Sequence, residues 1–320
     1  MIMTKLLVGT DPEMMLRDTR TGLLKSAIGV IQGNKEKKVD LGNGCKAFPD
    51  NVNVEVNPSP AGDERALVST IQNCLLSLSK AVYPYEIELR ASGEYPKAEC
   101  EHPDAKVFGC EPEFDAYELN IVQAPTCTTT FRSAGGHIHL GYEEEAYPLL
   151  APTEDNDGMD RAWGRVWVIR MMDLFMGIPS LWMDQDPTSA ARRKLYGNAG
   201  THRPKDYGVE YRPTGNFWLR SPSMVRLVYQ LSKFTVDFVA AKKHLELWED
   251  NDTCRLYKPE ELKKAINNSD KKLGSKFLNG LVKKHLPTNL YDAILVESET
   301  INEKAACSAT WQELRMAWGF

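Results

Sequence analysis

Acidic and imidazole side chains recur at alternate positions in this sequence, the spacing that puts residues on one face of a β-strand. In VNVEVN, Val52, Val54 and Val56 face one side while Asn53, Glu55 and Asn57 face the other. The same arithmetic groups Glu111, Glu113, Asp115 and Tyr117 in EPEFDAY, opposite Pro112, Phe114 and Ala116. It also pairs His137 with His139 in GHIHLG, Glu210 with Arg212 in VEYR, and Asp11 with Glu13 in DPEMML. If the five strands share one sheet, one surface bears Asp11, Glu13, Glu55, Glu111, Glu113, Asp115 and Glu210 together with the two histidines. Like charges at close range repel unless countered, and divalent cations are the cheapest counter-charge. Carboxylate oxygens favour Mg²⁺ or Mn²⁺, and an imidazole among them tilts toward Mn²⁺. Several cations on one floor suit phosphate chemistry, where they bridge phosphate oxygens.

Competing readings bear on each motif. An acidic strand is also the ordinary solvated face of an antiparallel sheet, and one histidine of an HxH pair is often a core residue, the better reading for His137 alone. Gly135-Gly136, just before the histidines, allows close approach of backbone to a ligand. From Ala191 to Arg212, Arg192, Arg193, Lys194, Arg203, Lys205 and Arg212 are packed among Gly197, Gly200 and Gly208. This pattern suits a loop that closes over phosphates or a carboxylate, and Arg212 shares a strand face with Glu210. The lysines at 263, 264, 271, 272, 283 and 284 lack interleaved aromatics and read as a solvated helical face. No P-loop, dinucleotide fingerprint, nucleophile elbow or HExxH motif occurs.

The elements that must carry these residues follow from periodicity and caps. An acidic first turn at Asp63 leads into Leu67, Ile71, Leu75 and Leu78, the spacing of a one-sided helix. Further helices are expected over 160–176, 223–246, 259–267 and 270–286. With 320 residues and no linker, a single domain is the simplest reading, with its motif-bearing core at about 5–220 and a helical part at 221–320. The formal net charge of −5 argues against coating nucleic acid. The seven cysteines, an odd set without a CxxC pair, argue against a disulfide framework, so Cys45 and Cys110 are expected to be small packed residues. No apolar run long enough for a membrane span or signal-peptide core is apparent, and a soluble cytoplasmic protein is expected.

Taken in order, GTDPEMML, DNVNVEVNPSP, GCEPEFDAY, RSAGGHIHLG, RRKLYGNAG and YGVEYRPTGNFWL resemble the carboxylate-amine ligases of the glutamine synthetase and glutamate-cysteine ligase superfamily, most closely the phage-type amidoligases. The resemblance spans about residues 9–219; no motif of the last hundred residues matches. It implies an α+β fold, a curved antiparallel sheet with helices on the convex face, binding ATP and two or three Mg²⁺ or Mn²⁺ ions on the concave face. By resemblance, Asp11 and Glu13 are the first-strand metal pair, Asp50 and Glu55 complete one site, and Glu13, His137 or His139 (the latter preferred) and Glu210 complete another. Glu111, Glu113 and Asp115 compete for the first-pair role. Arg212 resembles the arginine that stabilises the transferring phosphoryl group, and Arg193, Lys194 and Arg203 serve ATP or the carboxylate. The implied reaction activates a carboxylate with ATP and passes the acyl phosphate to an amine, with Glu113 or Asp115 as general base. The expected partners are small-molecule or peptide carboxylates and amines, with no nucleic acid or membrane, and a phage-encoded chain would act in the bacterial cytoplasm. A metal-dependent phosphoesterase or nuclease, and a non-catalytic phage structural protein, are the alternatives.

Overall fold

In the computed structural model, which describes residues 6–106, 112–122, 130–142, 147, 150, 159–249, 251–302 and 309–320, Pro12 divides the first extended run into two strands, β1 (Leu6–Thr10) and β2 (Glu13–Arg17). Proline has no N–H to give to a ladder, and its carbonyl accepts from Val56 N at 3.1 Å. Numbering strands along the chain, β1 edges a six-stranded sheet. Its order is β1, β12 (Ile138–Tyr142), β14 (Gly208–Tyr211), β13 (Thr201–Lys205), β9 (Glu113–Asp115) and β10 (Asn120–Val122).

Strand β2 enters a second sheet, ordered β15 (Ala309–Thr310), β7 (Glu86–Leu89), β2, β6 (Asn53–Pro58), β5 (Cys45–Asp50) and β4 (Val39–Gly42), with β3 (Leu24–Lys25) paired to β2. Strands β8 (Ser92–Glu94) and β11 (Phe131–Ser133) form a separate ladder. All these ladders are antiparallel. The two large sheets meet where Val8 and Ala61 exchange both backbone hydrogen bonds at 2.9 Å. The expected acidic face is therefore divided between two sheets. Glu13, Asp50 and Glu55 belong to one, and Glu113, His139 and Glu210 to the other.

Helices cover the apolar side of this floor. Helix α1 (Glu64–Ala81) starts where Asp63 accepts from Ala66 N, and it buries Leu67, Ile71, Cys74, Leu75 and Leu78. Each such aliphatic side chain contributes roughly 1.5–3 kcal/mol by leaving water. Helix α2 (Met159–Met172) continues through a wide π-helical turn, Asp173–Gly177, into α3 (Ile178–Met183), beyond the expected end at 176. By length and composition residues 162–183 could cross a bilayer, contrary to the expectation from the sequence, but most of that stretch is buried inside the fold. Helix α4 (Ser189–Leu195) turns part of the expected basic loop into helix, and β13 and β14 turn most of the rest into a hairpin. Helix α5 (Pro222–Ala240) is capped by Ser221. The next expected helix runs over Pro259–Asn267, and the following one, capped by Asp270, passes through a second π-helical turn at Leu278–Val282. Lys264, Lys271, Lys272, Lys283 and Lys284 are exposed on these helices.

Ile138, Leu140, Val209 and Tyr211 point into the same apolar core as α1, α2 and α5, so the alternate residues of β12 and β14 face the other way. This mixed arrangement is α+β. The C-terminal part is not only helical, because Ala309 and Thr310 pair with Leu89 and Glu88. Packing of α1 on β5 joins Cys45 to Cys74, with Cα atoms 5.3 Å apart. Cys45 is therefore a disulfide partner, a pairing that periodicity cannot reveal across 29 residues. Cys110 and Glu111 lie outside the described residues.

Candidate active site

Two clusters of ligand-type side chains sit where the sheets meet. Asp11, His139 and Glu210 form one and Glu13, Asp50 and Glu55 the other; within each, one candidate ligand atom per residue lies within 4.8 Å of the others. Strand register explains both. His139 pairs with Gly9 on one side and Glu210 on the other, and Glu13 is directly opposite Glu55. Asp50 closes the second group from the end of β5. The resemblance allots Glu13 to the histidine site, whereas geometrically Asp11 occupies that place. The break at Pro12 turns the two acids, two residues apart, into separate groups.

Asp11 is clasped by both imidazoles: its Oδ1 lies 3.0 Å from His137 Nδ1 and its Oδ2 3.1 Å from His139 Nε2. His139 Nε2 is buried and has no hydrogen-bond partner beyond that close approach to Asp11. Its Nδ1 meets the Tyr207 hydroxyl. Burial pushes the Asp11 carboxyl up, but His139 and His137 outweigh it and hold the group well below the usual carboxylate range. Burial likewise lowers His139, and Asp11 overcompensates, raising it. His137 is different: burial and then Arg212 push it down to about 3. Its Nε2 is 3.3 Å from the Tyr196 hydroxyl. His137 thus joins neither cluster and, buried, supports Asp11 instead.

The second cluster carries the cost of like charge. Burial and then Asp50 raise Glu13 to about 7; burial and then Asp11 push Glu55 well above its ordinary value. Asp50 is also raised, chiefly by burial, despite the nearby positive charge of Lys35. Glu13 Oε2 accepts from Gly135 N at 3.1 Å and from Asn53 Nδ2 at 3.4 Å. Asn53 is fixed by Ser133 O and the Tyr95 hydroxyl. Asn57 donates to Glu55 at 2.9 Å.

A cationic wall adjoins the clusters. Arg212 Nε donates to Glu113 Oε1 at 2.7 Å, and its NH1 also bonds Glu210. Arg203 lies 3.6 Å from both carboxylates, and Lys205 Nζ is 3.3 Å from Glu210 Oε2. The Arg212 guanidinium stacks over Tyr196 at 4.9 Å. Glu210 itself is almost wholly buried, and burial and then Asp11 raise its pKa.

Several expected roles are not carried by these contacts. Arg193 turns into the helical layer, where it donates to Ser269 Oγ at 2.6 Å and faces Asp184. Lys194 is exposed on α4. Arg192 is a backbone clamp, donating to the carbonyls of Ala134, Pro213 and Thr214. Asp115 caps the following turn by accepting from Tyr117 N at 2.7 Å, and Lys263 lies 3.7 Å away, so its contacts face the helices rather than the clusters. The glycines before His137 make room for protein: a Cβ on Gly136 would come within 2.3 Å of Gly215 O, and one on Gly135 within 2.4 Å of His137 Nε2. Tyr196, Tyr207 and Asn53 are the site residues that sequence reasoning left out of its candidates. Only Asn53 left a trace, by sharing the Glu55 face of VNVEVN.

An α+β fold with carboxylate clusters beside an arginine wall is the frame, and over its second half the chain is similar to the phage-type carboxylate-amine ligases. The match is to the family described as phage phiEco32-like COOH-NH2 ligase, type 2, over residues 164–320. It takes in Arg203, Lys205, Glu210 and Arg212 and also the last hundred residues, where no matching motif was recognised in the sequence. Asp11, Glu13, Asp50, Glu55 and the two histidines lie before the matched region. No curated protein matches this chain.

Proposed function

We propose that the protein is an ATP-dependent ligase, requiring Mg²⁺ or Mn²⁺, that joins a carboxylate to an amine through an acyl phosphate, on a glutamine-synthetase-like sheet. The observation that carries this reading is the meeting of two three-ligand clusters with two arginines in one place. The donor sets fit divalent cations. One is all carboxylate, and the other has a buried, unpartnered imidazole nitrogen between two carboxylates. Asp11, His139 and Glu210 would hold one ion, and Glu13, Asp50 and Glu55 a second. Bound ions would neutralise charge on phosphate oxygens.

The chain's own residues do the rest. Arg212, fixed by Glu113, Glu210 and the Tyr196 ring, presents a guanidinium preorganised for the charge that spreads over a transferring phosphoryl group. Arg203 adds a second cation on the same wall. The carboxylate substrate displaces ADP from the γ-phosphorus, and the amine then displaces phosphate from the acyl carbon. Glu113, between the two arginines, is the carboxylate assigned to receive the amine's proton.

The test is ADP release from Mg-ATP with pooled amino acids and short peptides, followed by mass spectrometry for a condensed product. ADP formation should require both a carboxylate and an amine, and Glu13→Gln, Glu55→Gln and Glu210→Gln should each abolish it while leaving the fold intact. Full activity in the Glu13 and Glu210 variants would refute the metal assignment. Cleavage of a phosphodiester without nucleotide would identify a phosphoesterase instead.

A further inference from the structure

Tyr207 contacts a site residue yet belongs to neither cluster. It lies in the turn between β13 and β14, and its carbonyl accepts from Tyr142 N of β12 at 3.0 Å, so the turn is tied to the strand that carries His139. The next residue, Gly208, has φ 147°, and a Cβ there would come within 2.1 Å of Leu140 O, so the turn is seated closely on β12. From this perch the Tyr207 ring, 45% exposed, lies 6.0 Å from the His139 ring and brings its hydroxyl to Nδ1. On the other side of the imidazole, Nε2 looks between Asp11 and Glu210, buried and without a hydrogen-bond partner.

A neutral imidazole carries one N–H and one lone pair, and the partner of one nitrogen decides which is where. A cation among Asp11, His139 and Glu210 needs the lone pair on Nε2, hence the hydrogen on Nδ1 and an acceptor facing it. The phenol oxygen of Tyr207 stands where that acceptor is needed. We propose that Tyr207 is a positioning residue. By accepting from Nδ1–H it fixes the tautomer and ring orientation of His139 and so presents Nε2 to a divalent cation. This rests on the proposed metal role of the Asp11 cluster and adds a residue beyond the ligands. Outer partners of ligating histidines typically contribute 10–100-fold in metal affinity.

The experiment uses the full chain and Tyr207→Phe, which keeps the ring and removes the oxygen. Calorimetric titration with Mn²⁺ should show two classes of site in the wild type, with Tyr207→Phe weakening one by roughly 10–100-fold and leaving the other unchanged. Long-range proton–nitrogen NMR of His139 in the Mg²⁺-loaded chain at alkaline pH should show a downfield, slowly exchanging Nδ1–H in the wild type, and in Tyr207→Phe that signal should move upfield and exchange faster. A merely packed ring would leave it unmoved. Equal Mn²⁺ affinity and an unchanged Nδ1–H signal in the variant would overturn the proposal. Failure of the wild type to bind either ion would instead remove the metal reading on which the proposal rests.

Discussion

Replacing Glu13 by glutamine should stabilise the metal-free protein at alkaline pH. In the folded chain Glu13 is raised from 4.5 to about 7, by burial and then by Asp50. Well below 4.5 the group is protonated whether the chain is folded or not, and it adds nothing. Between the two values the folded chain keeps a proton that the unfolded chain has lost, so stability falls as pH rises. Above about 7 both states are ionised and the folded state bears the full cost of the buried charge. At ~1.4 kcal/mol per pH unit the gap amounts to ~3 kcal/mol. For a chain of this length, with an unfolding entropy near 0.7 kcal/mol/K, that is roughly 4–5 °C in Tm. Glutamine keeps the shape and an oxygen for Gly135 N. In chelator at about pH 8, Glu13→Gln should therefore melt above wild type, and the difference should shrink toward about pH 5. Saturating Mn²⁺ should reverse the order, because an ion at ~1,000 times its Kd adds ~4.1 kcal/mol to the wild type, more than the gap. Thermal melts by circular dichroism at the two pH values, with and without Mn²⁺, suffice. A variant that melts at or below wild type in chelator at the higher pH would refute the reasoning that Glu13 is a buried charge held near its neighbours for a cation.

Arg212→Lys should lower ADP formation by about 100-fold or more, since an ammonium cannot bridge Glu113 and Glu210 while stacking on Tyr196; steady-state kinetics would show it. Tyr211→Phe removes the hydroxyl that donates at 2.8 Å to the wholly buried Asp173, a carboxyl that burial raises to about 7, and urea titration should record a loss of ~1–3 kcal/mol. Gly136→Ala should fail to give folded protein on expression, because its Cβ would meet the backbone oxygen of Gly215. Lys271→Ala, on an exposed helical face, should leave both Tm and activity near wild type in the same assays.

Where period-two reasoning applied, the sequence was readable. Ile138 and Leu140 are buried behind His139, and Glu210 shares its side with Arg212, because a pleated strand permits nothing else. The α1 face was equally legible from Asp63 onward, since a cap and a one-sided stripe are local facts. The break at Pro12 was hidden. A proline flanked by acids reads as a strand start, and only pairing with β6 shows that Asp11 and Glu13 separate into two groups. Arg192 and Arg193 looked alike in the sequence, yet they point to different interiors because α4 rotates successive residues by about 100°. The Cys45–Cys74 bond and the Tyr207–His139 contact depend on which elements meet in space, and no spacing along the chain encodes that.

A single buried proline separates the carboxylate of one cluster from that of the other. Rotation of either sheet about this short stiff span would therefore move Asp11 against Glu13 at once. The peptide from 11 to 13 acts as a caliper: it sets the gap between the two carboxylate-bearing clusters, and any molecule that wedges the sheets apart would reset both together.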